Sequence, residues 1–118
     1  MNKISQFFKS FGYAINGIAI GIRKEQSLQI HLIAIILVTI AGLMLNVSQT
    51  EWMILLLCFG TVASAELMNS AIEKLVDLVS PEYNKKAGVI KDMAAGAVLV
   101  LAIAASIIGG IIFIPKLI

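Results

Sequence analysis

Hydrophobic residues dominate three long segments of the chain, at residues 28–45, 52–79 and 93–114. The last segment has 22 residues without a charged side chain, which is enough helix to cross a hydrocarbon core of about 30 Å. The first segment is shorter and spans only if polar residues at its ends reach the membrane interface. The pattern therefore predicts three transmembrane helices, at about 28–46, 51–79 and 91–114.

The N-terminal segment, about residues 3–24, has a different pattern, because its apolar residues recur at the spacing of one helix face. These residues are Ile4, Phe7, Phe8, Phe11, Ile15, Ile18 and Ile22. Such an amphipathic helix is expected to lie in the membrane surface with its apolar side down. A second stripe of small residues permits close approach of another helix. It consists of Ser10, Ala14, Gly17 and Gly21.

Composition supports a membrane protein over a soluble one. The chain has 118 residues, of which 59% are hydrophobic, and its mean hydropathy is +0.97. A soluble domain of this size could not bury so much apolar surface, so a single membrane domain over residues 1–118 is expected. The net charge of +2 is small, and no basic cluster is interleaved with exposed aromatic residues, so no nucleic-acid partner is expected.

Basic residues are distributed unevenly between the two predicted membrane faces. Eight of the nine Lys and Arg residues lie in the N-terminal segment or at positions 74–91, and only Lys116 follows the last apolar segment. Because basic residues favour the cytoplasmic side, this distribution predicts a cytoplasmic N-terminus and a C-terminus outside.

Polar residues continue the second apolar segment along one side of its predicted helix. At about 100° per residue, Glu66, Asn69, Glu73 and Asp77 fall within a stripe about 80° wide, here called the acid ridge. About 21 Å of uncharged helix precede Glu66, which places it near one membrane face. Lys74 falls about 80° from the stripe, so the acid ridge is predicted to lack salt bridges.

Glu25, Lys91 and Asp92 are expected at the same membrane face as the acid ridge. Oxygen ligands without His or Cys suit Mg²⁺, which one or two carboxylates hold together with substrate phosphates. A lysine suits phosphate oxygens, and a carboxylate outside the metal shell can accept a proton from an attacking hydroxyl. These groups indicate phosphoryl transfer from a nucleotide, although the chain has neither a P-loop nor a kinase glycine-rich loop.

A non-catalytic alternative stays open at this point. Acids near the cytoplasmic end of a helix can be solvated and have no chemical role, although intramembrane carboxylates are functional by default. His31, on an apolar helix, is more simply a hydrogen-bonded interface residue than a ligand. Trp52 is most simply an interfacial anchor.

The acid ridge belongs to a longer motif, ELMNSAIEKLVD at 66–77, which is followed by SPEYNKKAG at 80–88 and IKDMAAGAVL at 90–99. Two further motifs precede it, FGYAINGI at 11–18 and KEQSLQIH at 24–31. Together these motifs resemble one family, the integral-membrane diacylglycerol kinases of bacteria. In that family FGYAINGI resembles the surface helix, and KEQSLQIH resembles the segment around a glutamate. The resemblance covers essentially the whole chain.

This resemblance implies a homotrimer in the bacterial inner membrane, with active sites shared between neighbouring subunits, ATP and Mg²⁺ bound from the cytoplasm, and a lipid alcohol substrate. Glu66 would be the catalytic base, Glu25 and Glu73 the metal ligands, and Asn69 a supporting residue. The ATP contacts would be Tyr13, Glu25, Glu73, Asp77, Glu82, Tyr83, Lys91 and Asp92. The residues that meet the lipid would be Lys9, Glu66 and Ala95, within a surface that includes residues 10–28.

Departures from the family pattern concern nucleotide affinity and not the proposed base or metal ligands. Asn84 stands where the family has a histidine, and Gln6 where an arginine is frequent.

Diacylglycerol is the first substrate that the resemblance implies. Undecaprenol is the alternative, because His31 resembles the polyprenol-kinase branch, and a non-catalytic membrane protein is the third possibility. Apolar helix surface selects weakly among lipids, so the sequence leaves the substrate open.

Overall fold

The computed structural model describes residues 2–118, which form four α-helices and no β-strand. The helices are α1 (Lys3–Lys24), α2 (Gln26–Met44), α3 (Gln49–Val79) and α4 (Lys85–Leu117). Helices α2, α3 and α4 are each long and apolar enough to cross a membrane. The all-α prediction of one N-terminal helix and three spans is thereby confirmed.

Helices α3 and α4 begin earlier than hydropathy predicts, because polar side chains cap their first turns. Helix α3 begins with a capping box, in which Ser48 accepts from the N–H of Glu51 and the Glu51 side chain accepts from the N–H of Ser48. Helix α4 begins at Lys85 and not near residue 91. The Asn84 side chain caps it by accepting from the N–H groups of Lys86 and Ala87. Hydropathy does not detect these polar first turns, because capping depends on single side chains.

Helices α1, α2 and α3 meet at Gly21, near the end of α1. A Cβ atom on Gly21 would lie 2.5 Å from Leu67 Cδ2 and 3.0 Å from Leu28 Cδ2, which is closer than carbon atoms pack. The small-residue stripe thus permits close contact at this position. Gly17 meets nothing within 4 Å, so this part of the stripe is open within the single chain.

The connection between α2 and α3 is a tight helix-ending turn. Asn46 has φ 55°, and the Val47 N–H donates to the Gly42 carbonyl at 3.2 Å, the pattern of a Schellman cap. Gly42 itself lies against the Trp52 ring, since a Cβ atom there would be 2.6 Å from Trp52 Cη2. Trp52 therefore packs against α2 and does not serve only as an interfacial anchor.

The chain buries few of its apolar residues. Its core cluster is Val47, Leu55 and Ile112, at the end of the helices opposite the acid ridge. Long apolar faces of α2, α3 and α4 stay exposed, and the molecule is only 21 Å thick in its thinnest direction. Lipid or another subunit must cover these faces, because water does not solvate so large an apolar surface at low cost.

Candidate active site

Glu66 is the most buried ionisable residue of the acid ridge. It is 4% exposed and lies on the side of α3 that faces α2. His31 of α2 places its Nε2 atom 3.0 Å from Glu66 Oε1. The other carboxylate oxygen, Oε2, is buried and has no hydrogen-bond partner within residues 2–118. One oxygen of Glu66 is thus held by its neighbour, and the other is available to a group from outside the chain.

Asn69 lies one helical turn further along the acid ridge. Its Nδ2 group donates to Glu73 Oε1 at 3.2 Å. Its Oδ1 atom is buried and, like Glu66 Oε2, has no partner in the described part of the chain. Buried acceptors without donors are uncommon and costly, so two of them close together on one helix mark a place for a ligand or a second subunit.

Glu25 connects the junction of α1 and α2 to α3. The Lys74 ammonium donates to Glu25 Oε1 across 49 residues of chain. This hydrogen bond is the main reason that the pKa of Glu25 lies below its usual value. Ser70, one helical turn before Lys74, also forms a side-chain hydrogen bond with Glu25. Glu25 therefore lies against the part of α3 that carries Ser70 and Lys74, and Glu73 belongs to the same part of that helix.

The prediction that the acid ridge lacks salt bridges was wrong. Asp77 accepts from the Lys91 ammonium of α4, and Glu66 contacts His31 of α2. The helical projection considered only lysines on the same helix, whereas these partners come from neighbouring helices. Lys91 is thus paired with Asp77 of the acid ridge, which partly neutralises the charge of the lysine.

Several predicted contact residues stay apart from the acid ridge. Tyr13 on α1 and Tyr83 before α4 are 74% and 91% exposed. Glu82 and Asp92 are also exposed, and within residues 2–118 neither joins the acid ridge by a hydrogen bond or ion pair. The expected lipid residues Lys9 and Ala95 lie on exposed surfaces of α1 and α4. The Asn84 side chain is engaged in capping α4.

Residues 2–118 contain no group of three or more His, Cys, Asp or Glu side chains arranged to hold a metal ion alone. The donor set still fits a hard cation, since Glu25 and Glu73 offer carboxylate oxygens and Asn69 Oδ1 is a buried acceptor without a donor. Mg²⁺ commonly takes only one or two carboxylates and completes its shell with water and phosphate oxygens. The single chain therefore offers part of such a shell.

An apolar cavity of about 580 Å³ opens between α2, α3 and α4. Its walls include Val38, Cys58, Phe59, Ala105 and Phe113, and His31 lines it as well. The same imidazole thus borders the cavity and contacts Glu66. The volume and apolar lining are typical of sites that bind small organic molecules.

Sequence reasoning missed the partners of two acids. It described His31 as a hydrogen-bonded interface residue but did not connect it to Glu66. It placed Lys74 off the stripe of the acid ridge but did not name Glu25 as its partner. A lone histidine on a helix without other titratable groups was the available signal, since such a residue needs a polar partner when it faces another helix.

Known proteins of one family are similar to this chain along nearly its whole length. Residues 12–113 match the Prokaryotic diacylglycerol kinase family. An undecaprenol kinase of Bacillus subtilis (strain 168) is 45% identical over 116 residues, which cover 98% of this chain and 94% of that protein. A diacylglycerol kinase of Synechocystis sp. is 38% identical over 109 residues, covering 92% and 62%. A diacylglycerol kinase of Escherichia coli (strain K12) is 30% identical over 103 residues, covering 87% and 84%.

Proposed function

The chain belongs to the prokaryotic diacylglycerol kinase family, and from this premise we propose that it is an ATP- and Mg²⁺-dependent lipid kinase of the cytoplasmic membrane face. One observation carries the proposal. Glu66 is buried, its Oε1 atom contacts His31, which lines an apolar cavity, and its Oε2 atom has no partner within residues 2–118. This is the arrangement that a general base for a lipid hydroxyl requires.

In the proposed reaction Glu66 Oε2 accepts the proton of the lipid hydroxyl. The hydroxyl oxygen forms a bond to the γ-phosphorus of ATP, and the bond from that phosphorus to the leaving oxygen of ADP breaks. The chain thus supplies a proton acceptor and positions the two substrates, which are the main protein contributions in phosphoryl transfer.

Glu25 and Glu73 would hold Mg²⁺, with Asn69 in support. When bound, the ion supplies positive charge that offsets the charge on the phosphate oxygens. Lys74 pairs with Glu25 and Lys91 pairs with Asp77 of the acid ridge, so the two lysines add positive charge at the entrance that an anionic nucleotide would use. Tyr13, Glu82, Tyr83 and Asp92 complete the proposed nucleotide contacts from exposed positions on α1 and around the start of α4.

Two lipid alcohols are candidates for the substrate. Diacylglycerol is the substrate that the family resemblance first implies. The 45% identity to an undecaprenol kinase, over 98% of the chain, together with His31 on α2, favours undecaprenol as the physiological substrate. Diacylglycerol remains the alternative, because an apolar cavity discriminates weakly among hydrocarbon chains.

A homotrimer with shared active sites is part of the proposal. Its support is the exposed apolar face of each spanning helix, the open glycine positions of α1 and the unsatisfied acceptors Glu66 Oε2 and Asn69 Oδ1. A cytoplasmic N-terminus and an outside C-terminus are proposed from the distribution of basic residues.

A lipid panel with ATP labelled on its γ-phosphate tests the function. Purified protein in detergent micelles receives undecaprenol or diacylglycerol, with Mg²⁺ or with a chelator in its place. We expect labelled lipid phosphate only with Mg²⁺, and faster with undecaprenol. Faster turnover of diacylglycerol would reverse the order of the two substrates. If neither lipid alcohol were labelled by correctly folded oligomer, the chain would be a non-catalytic membrane protein.

A further inference from the structure

His31 is the one titratable residue of α2, and no step of the reaction proposed above assigns it a role of its own. Its Nε2 atom lies 3.0 Å from Glu66 Oε1, within hydrogen-bonding distance. The two residues belong to different helices, so the contact depends on how α2 packs against α3. We propose that His31 is a positioning residue for the general base, which holds Oε1 so that Oε2 faces the lipid hydroxyl. The inference rests on the proposed function and assigns a new role within it.

The chemistry of the two groups defines the contact. An ionised carboxylate can only accept hydrogen bonds, so His31 contributes a hydrogen bond when Nε2 carries the proton. Neutral imidazole can carry its proton on either nitrogen, and the carboxylate selects the form with the proton on Nε2. No charged imidazole is required for this role.

The burial of Glu66 explains why a positioning group is needed. A glutamate has three rotatable side-chain bonds, and its carboxylate can turn if nothing holds it. Glu66 is 4% exposed, so water cannot reach both oxygens and fix their orientation. With Oε1 held by His31, Oε2 is the oxygen left with free lone pairs, and it is buried without a partner within residues 2–118. The two oxygens are therefore distinguished by the contact with His31.

The position of His31 beside the cavity links this role to the substrate. His31 lines the cavity of about 580 Å³ between α2, α3 and α4. The polar end of a lipid in this cavity would meet His31, whose imidazole contacts Glu66. A substitution at His31 could therefore change either lipid binding or the rate of the chemical step, and the two effects separate in KM and kcat.

The test uses the full chain in detergent with labelled ATP and the lipid alcohol that wild type phosphorylates. His31→Leu removes the donor and keeps an apolar side chain beside the cavity. His31→Gln restores a donor, since the Gln amide nitrogen reaches about as far as imidazole Nε2. His31→Asn carries the same amide on a shorter side chain. Thr39→Val is the matched control on α2, because Thr39 donates only to the Ile35 carbonyl of its own helix.

We expect His31→Leu to lower kcat by about 10- to 100-fold with little change in the lipid KM, as a misplaced catalytic group does. His31→Gln should recover most of the lost kcat, His31→Asn should not, and Thr39→Val should match wild type. If His31→Leu does not form the wild-type oligomer, the test uses the other two variants. A higher kcat for His31→Gln than for His31→Asn then supports the positioning role.

Three outcomes would overturn the inference. The first is a kcat for folded His31→Leu close to that of wild type. The second is a Gln variant as inactive as the Asn variant, which would mean that the imidazole itself transfers the proton. The third is a loss confined to KM, which would make His31 a lipid-binding residue only. An inactive wild-type protein would count against the proposed function, and with it the role of His31.

Discussion

The Lys74 ammonium of α3 donates a hydrogen bond to Glu25, at the junction of α1 and α2. It therefore occupies a carboxylate that we propose as a Mg²⁺ ligand. An ammonium group and a metal ion compete for the same oxygen, so Lys74 must move or share Glu25 when the ion binds. The hydrogen bond from Lys74 lowers the pKa of Glu25, so this carboxylate stays ionised to a more acidic pH than an isolated glutamate.

Replacing Lys74 should strengthen metal binding. We expect Lys74→Met to lower the dissociation constant for Mn²⁺, used as a spectroscopic substitute for Mg²⁺, by less than about five-fold, because exposed ion pairs are weak. Electron paramagnetic resonance of free Mn²⁺ measures this without turnover. Lys85→Met, an exposed lysine outside the acid ridge, is the control. Weaker Mn²⁺ binding in Lys74→Met would mean that the ammonium organises Glu25 for the metal.

The same pair gives a pH dependence with a defined sign. Because the folded pKa of Glu25 is lowered from 4.5, the stabilisation from the Lys74 contact is fully present above the unfolded value. It is lost as the pH falls through the lowered folded value. The difference in thermal stability between wild type and Lys74→Met should therefore be constant between about pH 6 and 8 and disappear in acid.

Removing either proposed metal ligand should weaken the response to Mg²⁺. In Glu25→Ala and Glu73→Ala the half-saturating Mg²⁺ concentration for turnover should rise, because each loses a hard oxygen ligand. A magnesium titration of activity measures the change. Glu51→Gln is the matched control, since Glu51 lies at the opposite end of α3, in contact with Ser48 and Lys116. Unchanged titrations in both Ala variants would place the metal elsewhere.

Glu66→Gln should abolish turnover and leave the fold intact. The amide has nearly the shape of the carboxylate but cannot accept the hydroxyl proton, and loss of a general base costs about 10²- to 10⁴-fold in rate. The rate of labelled phosphate transfer tests the loss of turnover. The elution position of the oligomer in size-exclusion chromatography tests whether the fold is intact. Glu51→Gln again controls for removal of a negative charge from α3. Retention of most of the activity would show that Glu66 is not the base.

A mixing experiment should reveal active sites shared between subunits. Glu25→Ala and Glu66→Gln are each expected to be inactive, but an interface that receives an intact Glu25 from one subunit and an intact Glu66 from another can function. Co-refolding the two variants at several ratios should recover a fraction of wild-type activity. Each variant refolded alone is the control. Mixed oligomers without activity at any ratio would place each site within one chain.

The C-terminus should lie outside the cytoplasm. Three spans and the excess of basic residues before α2 and around the connection between α3 and α4 predict this orientation. A reporter that is active only outside, fused after Ile118, should be active, and a reporter that is active only in the cytoplasm should not. The same pair of reporters fused before Met1 should give the reverse result. Cytoplasmic activity at Ile118 would mean an even number of spans.

The sequence by itself determined the number and type of helices. Hydropathy and helical periodicity are properties of contiguous residues, so three spans and an amphipathic α1 follow from reading the chain once. The acid ridge follows for the same reason, because Glu66, Asn69, Glu73 and Asp77 share one helix. Helix ends were less predictable, since one side chain, such as Asn84 or Ser48, decides where a helix begins.

Only the tertiary structure decided which charges meet. Lys74 and Glu25 are 49 residues apart, and His31 contacts Glu66 from a different helix. A helical projection gives angles around one axis and contains no information on how two axes pack. That packing depends on contacts such as Gly21 against Leu28 and Leu67, where the missing side chain allows close approach. The partner of each acid is therefore set by helix packing, which hydropathy along a single chain does not encode.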